Sequence, residues 1–367
     1  MSVARKGALC ACQHRLPAVL IVLMMLIAGR AWFSPVIHQQ QQAQAALPVK
    51  RVLFGANVLD PFVSVDRGTL HVDSVQRYNA TGGENGLLRH LYPSIDTLPL
   101  AGTGLLLDPE VVMRRKPDAV LVWAGRDAAL NAMGIPGVIV LHSALKHQTQ
   151  QHLDMWSLFG HLTSNDAHAA AMAQRYEEKR RALQKTIQAL HQPAPRVLLM
   201  VGGFGKGYWL GPPMHYLNER FTAVGATIVN QRGPGGGADV EHIMMLDPDV
   251  IFLSDSGTGD RMTPQQLYTL PEWQVVRAVK AHRVYIMPAL PSFTTPVEDP
   301  IRLQWLAEVL YPQLISRYVR TEIRETLQAA YHYRPSDEDI DRLLNIKENH
   351  FSAHYTRFNR STGVPAL

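Results

Sequence analysis

Aromatic and charged side chains follow several short apolar segments of this 367-residue chain. An aromatic ring offers rigid contact area to a flat or apolar molecule such as a chelate, and Arg or Lys donates hydrogen bonds to carboxylate, catecholate or phosphate groups. If the apolar segments are parallel strands, these side chains lie at the carboxyl ends, where two-lobed α/β proteins bind ligands. The candidate ligand-binding residues are Asn57, Asp60, Trp123, Arg126, Phe204, Lys206, Tyr208, Trp209, Arg232 and Asp255.

Some of these candidates also have an ordinary structural interpretation. Trp123 ends the run AVLVW and would then be the last core residue of a buried strand. The segment GGFGKGYWLG around Phe204 would be a plain loop, although Phe, Tyr and Trp are hard to bury together in one turn. Its order does not fit the phosphate-binding pattern G-x-x-x-x-G-K-[ST]. Arg126 and Arg232 fit a solvated surface as well as a ligand contact.

The chain contains sixteen histidines, and imidazole is a common zinc ligand, so direct metal binding is one interpretation to consider. Those considered are His71, His142, His161, His215 and His242. No H-x3-H or H-E-x-x-H pattern occurs among them. A site of His and Asp from both halves, or haem ligation by a residue such as Tyr208, stays open. We assign no metal ligand and no cofactor.

The sequence favours a binding protein over an enzyme. It contains no G-x-S-x-G elbow, and both cysteines, Cys10 and Cys12, precede the apolar run of the leader. No residue is therefore assigned a catalytic role. A metal-dependent enzyme on a related scaffold is the third reading, after two kinds of binding protein described below.

The apolar segments alternate with helical stretches in both halves, which predicts an α/β fold with mainly parallel sheets covered by helices. The predicted strands begin near Arg51, Ala119, Gly137, Arg196, Thr227, Val250 and Arg283. Between the halves, Thr149 to Leu190 contains one Gly (Gly160) and no Pro. This predicts a long helix bridging two lobes, with Ser164 or Asn165 as its side-chain cap.

A repeat relates the two halves. Glu110-VVMRRK-Pro117-Asp118 and Glu241-HIMMLD-Pro248-Asp249 share the spacing E-x6-P-D, and an apolar strand follows each. Each copy reads as a short helix, a Pro-Asp turn and a buried strand. The equivalent placement predicts two similarly built lobes.

The amino-terminal segment has the layout of a signal peptide. Basic residues precede the apolar run Pro17–Ala28, and Ala43-Gln44-Ala45 matches an A-x-A cleavage pattern. Retention of this segment as an anchor is the alternative. Residues 46–367 hold 32 basic and 31 acidic residues, so the basic pI belongs to the leader and does not indicate a nucleic-acid surface.

The chain resembles the periplasmic substrate-binding proteins of ABC importers for iron–siderophore complexes, haem and vitamin B12. The resemblance covers about Val49 to Pro312. It rests on the repeat and on the segments RVLFGANVLDPF, FGHLTSNDAHAAAMAQRY, AVKAHRVYIMP and PVEDPIRLQWLAEVLYP, together with Trp273. Two places depart from the family: Phe54-Gly55-Ala56-Asn57 replaces a Ser-Pro or Ser-Leu pair, and Thr69–Gly104 matches no known ligand subtype.

The resemblance implies a periplasmic, monomeric protein that carries a metal complex to the permease and ATPase of an ABC importer. Of the possible metal complexes, it favours an iron–siderophore. Haem, cobalamin, an oxyanion or a free metal ion stay open as ligands, as does a membrane-anchored sensory or accessory module. In this family the Glu of each repeat, here Glu110 and Glu241, docks onto permease arginines. The expected division is a leader, a first lobe, a helical bridge, a second lobe and a helical tail, at residues 1–45, 46–148, 149–192, 193–310 and 311–367.

Overall fold

The computed structural model describes residues 47–56, 58–76, 87–102, 106–142, 148–201, 208–210, 215–230, 236–254, 262–290 and 297–360. The chain from Ala43 onward forms one compact unit. Across these ranges, no helix combines the length and apolar character needed to cross a bilayer. The leader lies outside the described residues.

The first sheet has four parallel strands in the order β2-β1-β3-β4. The strands are β1 (Val52–Phe54), β2 (Val72–Val75), β3 (Ala119–Trp123) and β4 (Val138–Leu141). The helices of this lobe are α1 (Leu59–Asp66), α2 (Leu87–Leu91), α3 (Pro109–Arg115) and α4 (Ala128–Ala132). This is the parallel sheet that the apolar runs predict.

The apolar pattern of the sequence does not predict helix α1 or strand β2. The helix reads LDPFVSVD, in which Pro61 occupies the first turn, where its missing N–H costs nothing. Its β-branched residues are poor helix formers, but Phe62, Val63 and Val65 are fully buried, so packing decides its conformation. Strand β2 (VDSV) carries two polar residues and is too short for its period to be recognised.

The bridge consists of two helices, α5 (Gln148–Thr163) and α6 (Asp166–Ala189). Helix α6 has 24 residues and is about 36 Å long. The predicted side-chain cap is wrong: Ser164 has a left-handed backbone, and the Asn165 side chain donates to Thr163 instead of accepting from the first turn. Gly160 has a packing role, because a Cβ there would lie 2.8 Å from the Ala169 side chain.

The second sheet also contains four parallel strands, in the order β10-β9-β5-β7. They are β5 (Arg196–Val201), β7 (Thr227–Ile228), β9 (Val250–Ser254) and β10 (Val284–Ile286). Two antiparallel strands, β6 (Tyr208–Leu210) and β8 (Gly236–Ala238), extend it from the end of β5. The plain-loop interpretation of GGFGKGYWLG is therefore wrong for Tyr208, Trp209 and Leu210, which form β6. The helices are α7 (His215–Ala223), α8 (Val240–Leu246), α9 (Pro264–Thr269) and α10 (Arg277–Lys280).

The E-x6-P-D repeat has the same architecture in both sheets, which confirms two similarly built lobes. The Asp118 carboxylate accepts from the main-chain N–H of Lys50 at 2.8 Å and of Arg51 at 3.0 Å, just before β1. The Asp249 carboxylate accepts from the N–H of Arg196 at 2.8 Å, at the start of β5. Each repeat thus joins the start of its central strand to the next strand.

The tail forms α11 (Asp299–Leu310), α12 (Val319–Tyr331) and α13 (Asp337–Leu343). Ion pairs connect helix α12 to the bridge: Glu322 of α12 pairs with Arg175 of α6 at 3.0 Å and with Lys179 of α6 at 2.9 Å. Further along, the Asn349 side chain accepts from the N–H of Ile286 at 2.7 Å and donates to its carbonyl at 3.0 Å. The tail therefore belongs to the core of the molecule.

Candidate functional site

Half of the candidate ligand-binding residues lie in segments that the structure describes. Tyr208 and Trp209 belong to β6, and Trp209 pairs with Val201, the last residue of β5. These two positions are therefore at the carboxyl end of the central strand, as the sequence predicts. The other five lie outside the described residues: Asn57, Phe204, Lys206, Arg232 and Asp255.

Trp123 and Arg126 lie together at the carboxyl edge of the first sheet. Trp123 is the last residue of β3, and its partly exposed ring packs against the main apolar core. A tight turn follows, in which Arg126 donates its main-chain N–H to the Trp123 carbonyl at 3.0 Å. Gly125 has φ +85°, a conformation that favours glycine, and Arg126 is half-buried. Trp123 is thus both a core neighbour and an edge residue.

Gln76 is a functional candidate that the sequence reading missed. It directly follows β2, and its main-chain N–H donates to the Phe54 carbonyl at 2.9 Å. The residue is fully buried, yet neither Oε1 nor Nε2 has a hydrogen-bond partner among the residues that the structure describes. A buried, unpaired amide costs about 1–3 kcal/mol. It therefore points to a ligand or water that binds there. The signal that could identify Gln76 is its place directly after β2, but the sequence VDSV does not predict that strand.

Asp60 lies in the first turn of α1, against residues from the far end of the chain. Burial raises its pKa to about 7, and the nearby Glu298 carboxylate adds to the increase while Arg302 opposes it. Burial also raises the pKa of Glu298, whose Oε1 accepts from the Tyr331 hydroxyl and whose Oε2 is 3.6 Å from Arg302. The structure thus brings Asp60 to α11 and α12.

A buried ion-pair network continues from Arg302. Asp299 is 3.2 Å from Arg302 and forms a two-point pair with Arg220 of α7. Burial, and then the positive charge of Arg220, lower the pKa of His152 in α5 to about 4, so that imidazole is neutral. The network joins α5, α7 and α11.

Glu110 and Glu241 occupy equivalent exposed positions, in the first turns of α3 and α8. The preceding Asp caps each helix: the Asp108 side chain accepts from the N–H of Glu110 at 2.9 Å, and Asp239 accepts from His242 at 2.8 Å. Both helix starts are therefore fixed, and both glutamates are accessible to a partner.

The histidines considered for metal binding have other surroundings where they are described. His71 pairs with Asp66 at 2.7 Å, and His161 is exposed beside Asp166. In the described ranges, no group of three or more His, Cys, Asp or Glu side chains is arranged to hold a metal ion.

The fold and these positions can be compared with known proteins. The family model "Periplasmic binding protein" matches residues 67–290. A periplasmic solute-binding protein of Veillonella parvula is 21% identical with TM-score 0.71, covering 82% of this chain and 93% of its own. A molybdate-binding periplasmic protein of Haemophilus influenzae is 15% identical with TM-score 0.65, covering 78% and 94%.

A periplasmic haem-binding protein of Pseudomonas aeruginosa has the same fold, at 20% identity and TM-score 0.56, covering 72% of this chain and 94% of its own. These likenesses show the fold, since all three identities are low. No curated protein sequence matches the chain. Because the family model covers more than half of the residues and the two-sheet architecture agrees with it, the chain belongs to the periplasmic binding protein family.

Proposed function

We propose that the protein captures a metal complex of the iron–siderophore type between its two lobes and delivers it to an ABC importer. The observation that carries this proposal is the pairing of Trp123 with Arg126 at the carboxyl edge of the first sheet. An aromatic ring suits the flat part of a chelate, and a guanidinium suits its carboxylate or catecholate oxygens. Tyr208 and Trp209 of β6, the strand paired with the end of β5, are aromatic residues of the other lobe.

The fold does not choose the ligand. Proteins with this architecture bind molybdate, haem or nickel–histidine, according to their names. A thermal-shift screen with ferric siderophores, haem, cobalamin, molybdate and divalent metals decides among them. A ligand at 100 times its dissociation constant stabilises the folded protein by about 2.7 kcal/mol. We expect a shift with a ferric siderophore, and a panel without any shift contradicts the proposal.

Variants locate the binding site. Trp123→Ala and Arg126→Gln should each weaken binding of the compound that gives the shift, by about tenfold for the loss of one good contact. Phe351→Ala and Arg181→Gln are matched controls, because both side chains are exposed and far along the chain from the sheet edge. If the controls weaken binding as much, the ligand lies elsewhere.

Glu110 and Glu241 are proposed as the docking points for the permease. Their equivalent positions on the two lobes suit a partner with two-fold symmetry, and exposed carboxylates suit arginines on that partner. Glu110→Arg combined with Glu241→Arg should abolish uptake in cells while the purified protein binds its ligand normally. Glu178→Arg with Glu272→Arg makes the same charge change at other exposed positions. Normal uptake in cells that carry Glu110→Arg with Glu241→Arg would contradict this assignment.

The second candidate is a membrane-anchored sensory or accessory module, which a retained leader favours. Amino-terminal sequencing of the exported protein separates the two. A start at Ala46 indicates cleavage after Ala43-Gln44-Ala45 and a freely diffusing binder. A start upstream of Pro17 supports the anchored form.

A further inference from the structure

The two copies of the repeat differ in charge at the ends of their helices. Helix α3 ends in Arg114 and Arg115, and Lys116 follows. The equivalent positions after Glu241 are Met245, Leu246 and Asp247. The positive charge is therefore not required by the architecture that the two lobes share. Basic residues in a last turn do favour the helix dipole, but α8 forms without any.

The cations of the first repeat line a surface cleft together with Arg51. The cleft has a volume of about 600 Å³ and is lined by Arg51, Leu100, Val111, Arg114, Arg115 and Lys116. Two of these residues share the counter-ion Asp73, whose side chain is 5% exposed and pairs with Arg51 at 2.7 Å and Arg115 at 2.5 Å. One buried carboxylate thus serves two guanidinium groups.

The remaining cations are not neutralised. Among the residues that the structure describes, Arg114 and Lys116 have no ion-pair partner, and both are exposed. Exposed Lys50 adds a further charge, while Asp118 is engaged with the main-chain N–H groups of Lys50 and Arg51. We call Lys50, Arg51, Arg114, Arg115 and Lys116 the basic patch. The printed partners of this patch are the carboxylates of Asp73 and Asp118, and the exposed Glu110 begins the same helix as Arg114. Residues 46–367 as a whole are nearly neutral.

The basic patch lies at the amino-terminal edge of the first sheet. Arg51 directly precedes β1, and Lys116 leads into β3, whereas Trp123 and Arg126 follow the carboxyl end of β3. The patch is therefore separate from the proposed ligand site. In the sequence, Pro48 and Val49 directly precede Lys50 and Arg51 and follow the segment that contains the apolar run Pro17–Ala28.

We infer that the basic patch binds the phosphate groups of anionic phospholipids at a membrane surface. Each Lys or Arg close to an anionic bilayer contributes about 1 kcal/mol, and the attraction decays within a Debye length. A patch that includes Lys50 and Arg51, which follow the leader closely in the sequence, would hold the protein against the bilayer in either form of the leader. This interaction is peripheral and requires no spanning helix.

Vesicle co-sedimentation tests the inference with the protein from Ala46 to Leu367, which lacks the apolar run. It should bind vesicles of phosphatidylcholine mixed with phosphatidylglycerol, and not vesicles of phosphatidylcholine alone. Binding should fall steeply as salt is raised from about 0.01 M to about 0.15 M, because the Debye length shrinks from about 30 to about 8 Å.

The decisive variant is Arg114→Gln with Lys116→Gln, whose exposed and unpaired side chains can change without disturbing the fold. Its binding should be about 25-fold weaker, at roughly fivefold per charge. Lys280→Gln with Lys347→Gln removes two exposed cations elsewhere and should bind like the wild type. Equal losses in both variants would show that net charge alone matters and would overturn the patch. Inorganic phosphate that binds the protein when the vesicles do not would overturn the lipid assignment.

Discussion

Arg220 and Asp299 form a two-point ion pair inside the protein: Nε of Arg220 is 2.9 Å from Oδ2, and a terminal nitrogen is 2.7 Å from Oδ1. Both side chains are about 5% exposed or less, and Arg302 also contacts Asp299. The pair holds α7 against α11. It is therefore one of the polar connections between the second lobe and the tail.

Removing one member of this pair should destabilise the protein strongly. Asp299→Ala leaves two buried guanidinium groups, so we expect the free energy of unfolding to fall by about 3–5 kcal/mol. Urea denaturation measures it. The double variant Arg220→Met with Asp299→Leu leaves less uncompensated buried charge. Its free energy of unfolding should therefore fall by less than that of Asp299→Ala. A loss below about 1 kcal/mol in Asp299→Ala would contradict the burial of the pair.

Asp60 should make stability fall as pH rises. Its folded pKa is about 7, against a usual value near 3.9. Between about pH 4 and 7 the folded state therefore binds more protons than the unfolded state, which costs up to about 1.4 kcal/mol per pH unit. The partial exposure of Asp60 reduces this amount. The stability of Asp60→Asn minus that of the wild type should grow over this window, and a constant difference would contradict the assignment.

His152 should have the opposite pH dependence. Its folded pKa is about 4, against a usual value near 6.5, so the unfolded state binds more protons between these values. Stability therefore rises with pH from about 4 to 6.5 and partly masks the effect of Asp60. In His152→Gln, the free energy of unfolding should therefore fall more steeply with rising pH than it does in the wild type, because only the effect of Asp60 remains. Denaturation at a series of pH values measures this slope. Identical pH profiles for the variant and the wild type would argue against a neutral, buried imidazole.

The Asp residues of the repeat should stabilise their lobes independently. Asp118→Ala removes acceptors from two main-chain N–H groups and Asp249→Ala from one, so we expect losses of about 2 and about 1 kcal/mol. The double variant should show the sum to within about 0.5 kcal/mol, because the sites share no partner. Asp118→Asn keeps an acceptor and should recover part of the loss in chemical denaturation. Strong non-additivity would contradict the independence of the two sites.

Gln76 should separate ligand binding from stability. Gln76→Met replaces an unpaired buried amide with an apolar side chain of similar size, so the ligand-free protein should be as stable as the wild type or up to about 1 kcal/mol more stable. Binding of the compound found in the thermal-shift screen should become about tenfold weaker. Calorimetric titration and thermal unfolding measure the two quantities. A destabilised variant that binds normally would assign Gln76 a purely structural role.

Helix α6 should limit closure of the lobes on ligand binding. A single 24-residue helix resists bending more than flexible strands do, which predicts a small rotation of at most about 20°. Small-angle scattering with and without ligand measures the change in radius of gyration. A large decrease would contradict a stiff bridge.

The parts of the fold that the sequence predicts are those with a local cause. AVLVW and VIFLS are continuous apolar runs, and each can only be a buried strand between helices. The two Pro-Asp turns identify the repeat because Pro interrupts a helix at any position beyond the first turn. In contrast, α1 owes its conformation to the burial of Phe62 and Val63 against distant elements. No local pattern reports that burial.

The site is less accessible to sequence reasoning for the same reason. The sequence identifies Trp123 and Arg126 because they end or follow a recognisable apolar strand, whereas Gln76 follows a strand too short and polar to be predicted. The sequence predicts Asp60 as a ligand contact, but its neighbours Glu298 and Arg302 are more than 200 residues away in sequence, and only the folded chain shows their charges acting on it.

The hydrogen bonds from Asn349 to Ile286 have a consequence for the order of folding. Strand β10 is the outer strand of the second sheet, and its free edge would offer N–H and carbonyl groups to any passing chain. Asn349 covers that edge from 63 residues further along. While the chain emerges amino-terminus first, the edge of β10 therefore remains open to pairing with another molecule until the segment around Asn349 has arrived. Once it has, Asn349 occupies main-chain groups of Ile286 that a neighbouring strand could otherwise bond.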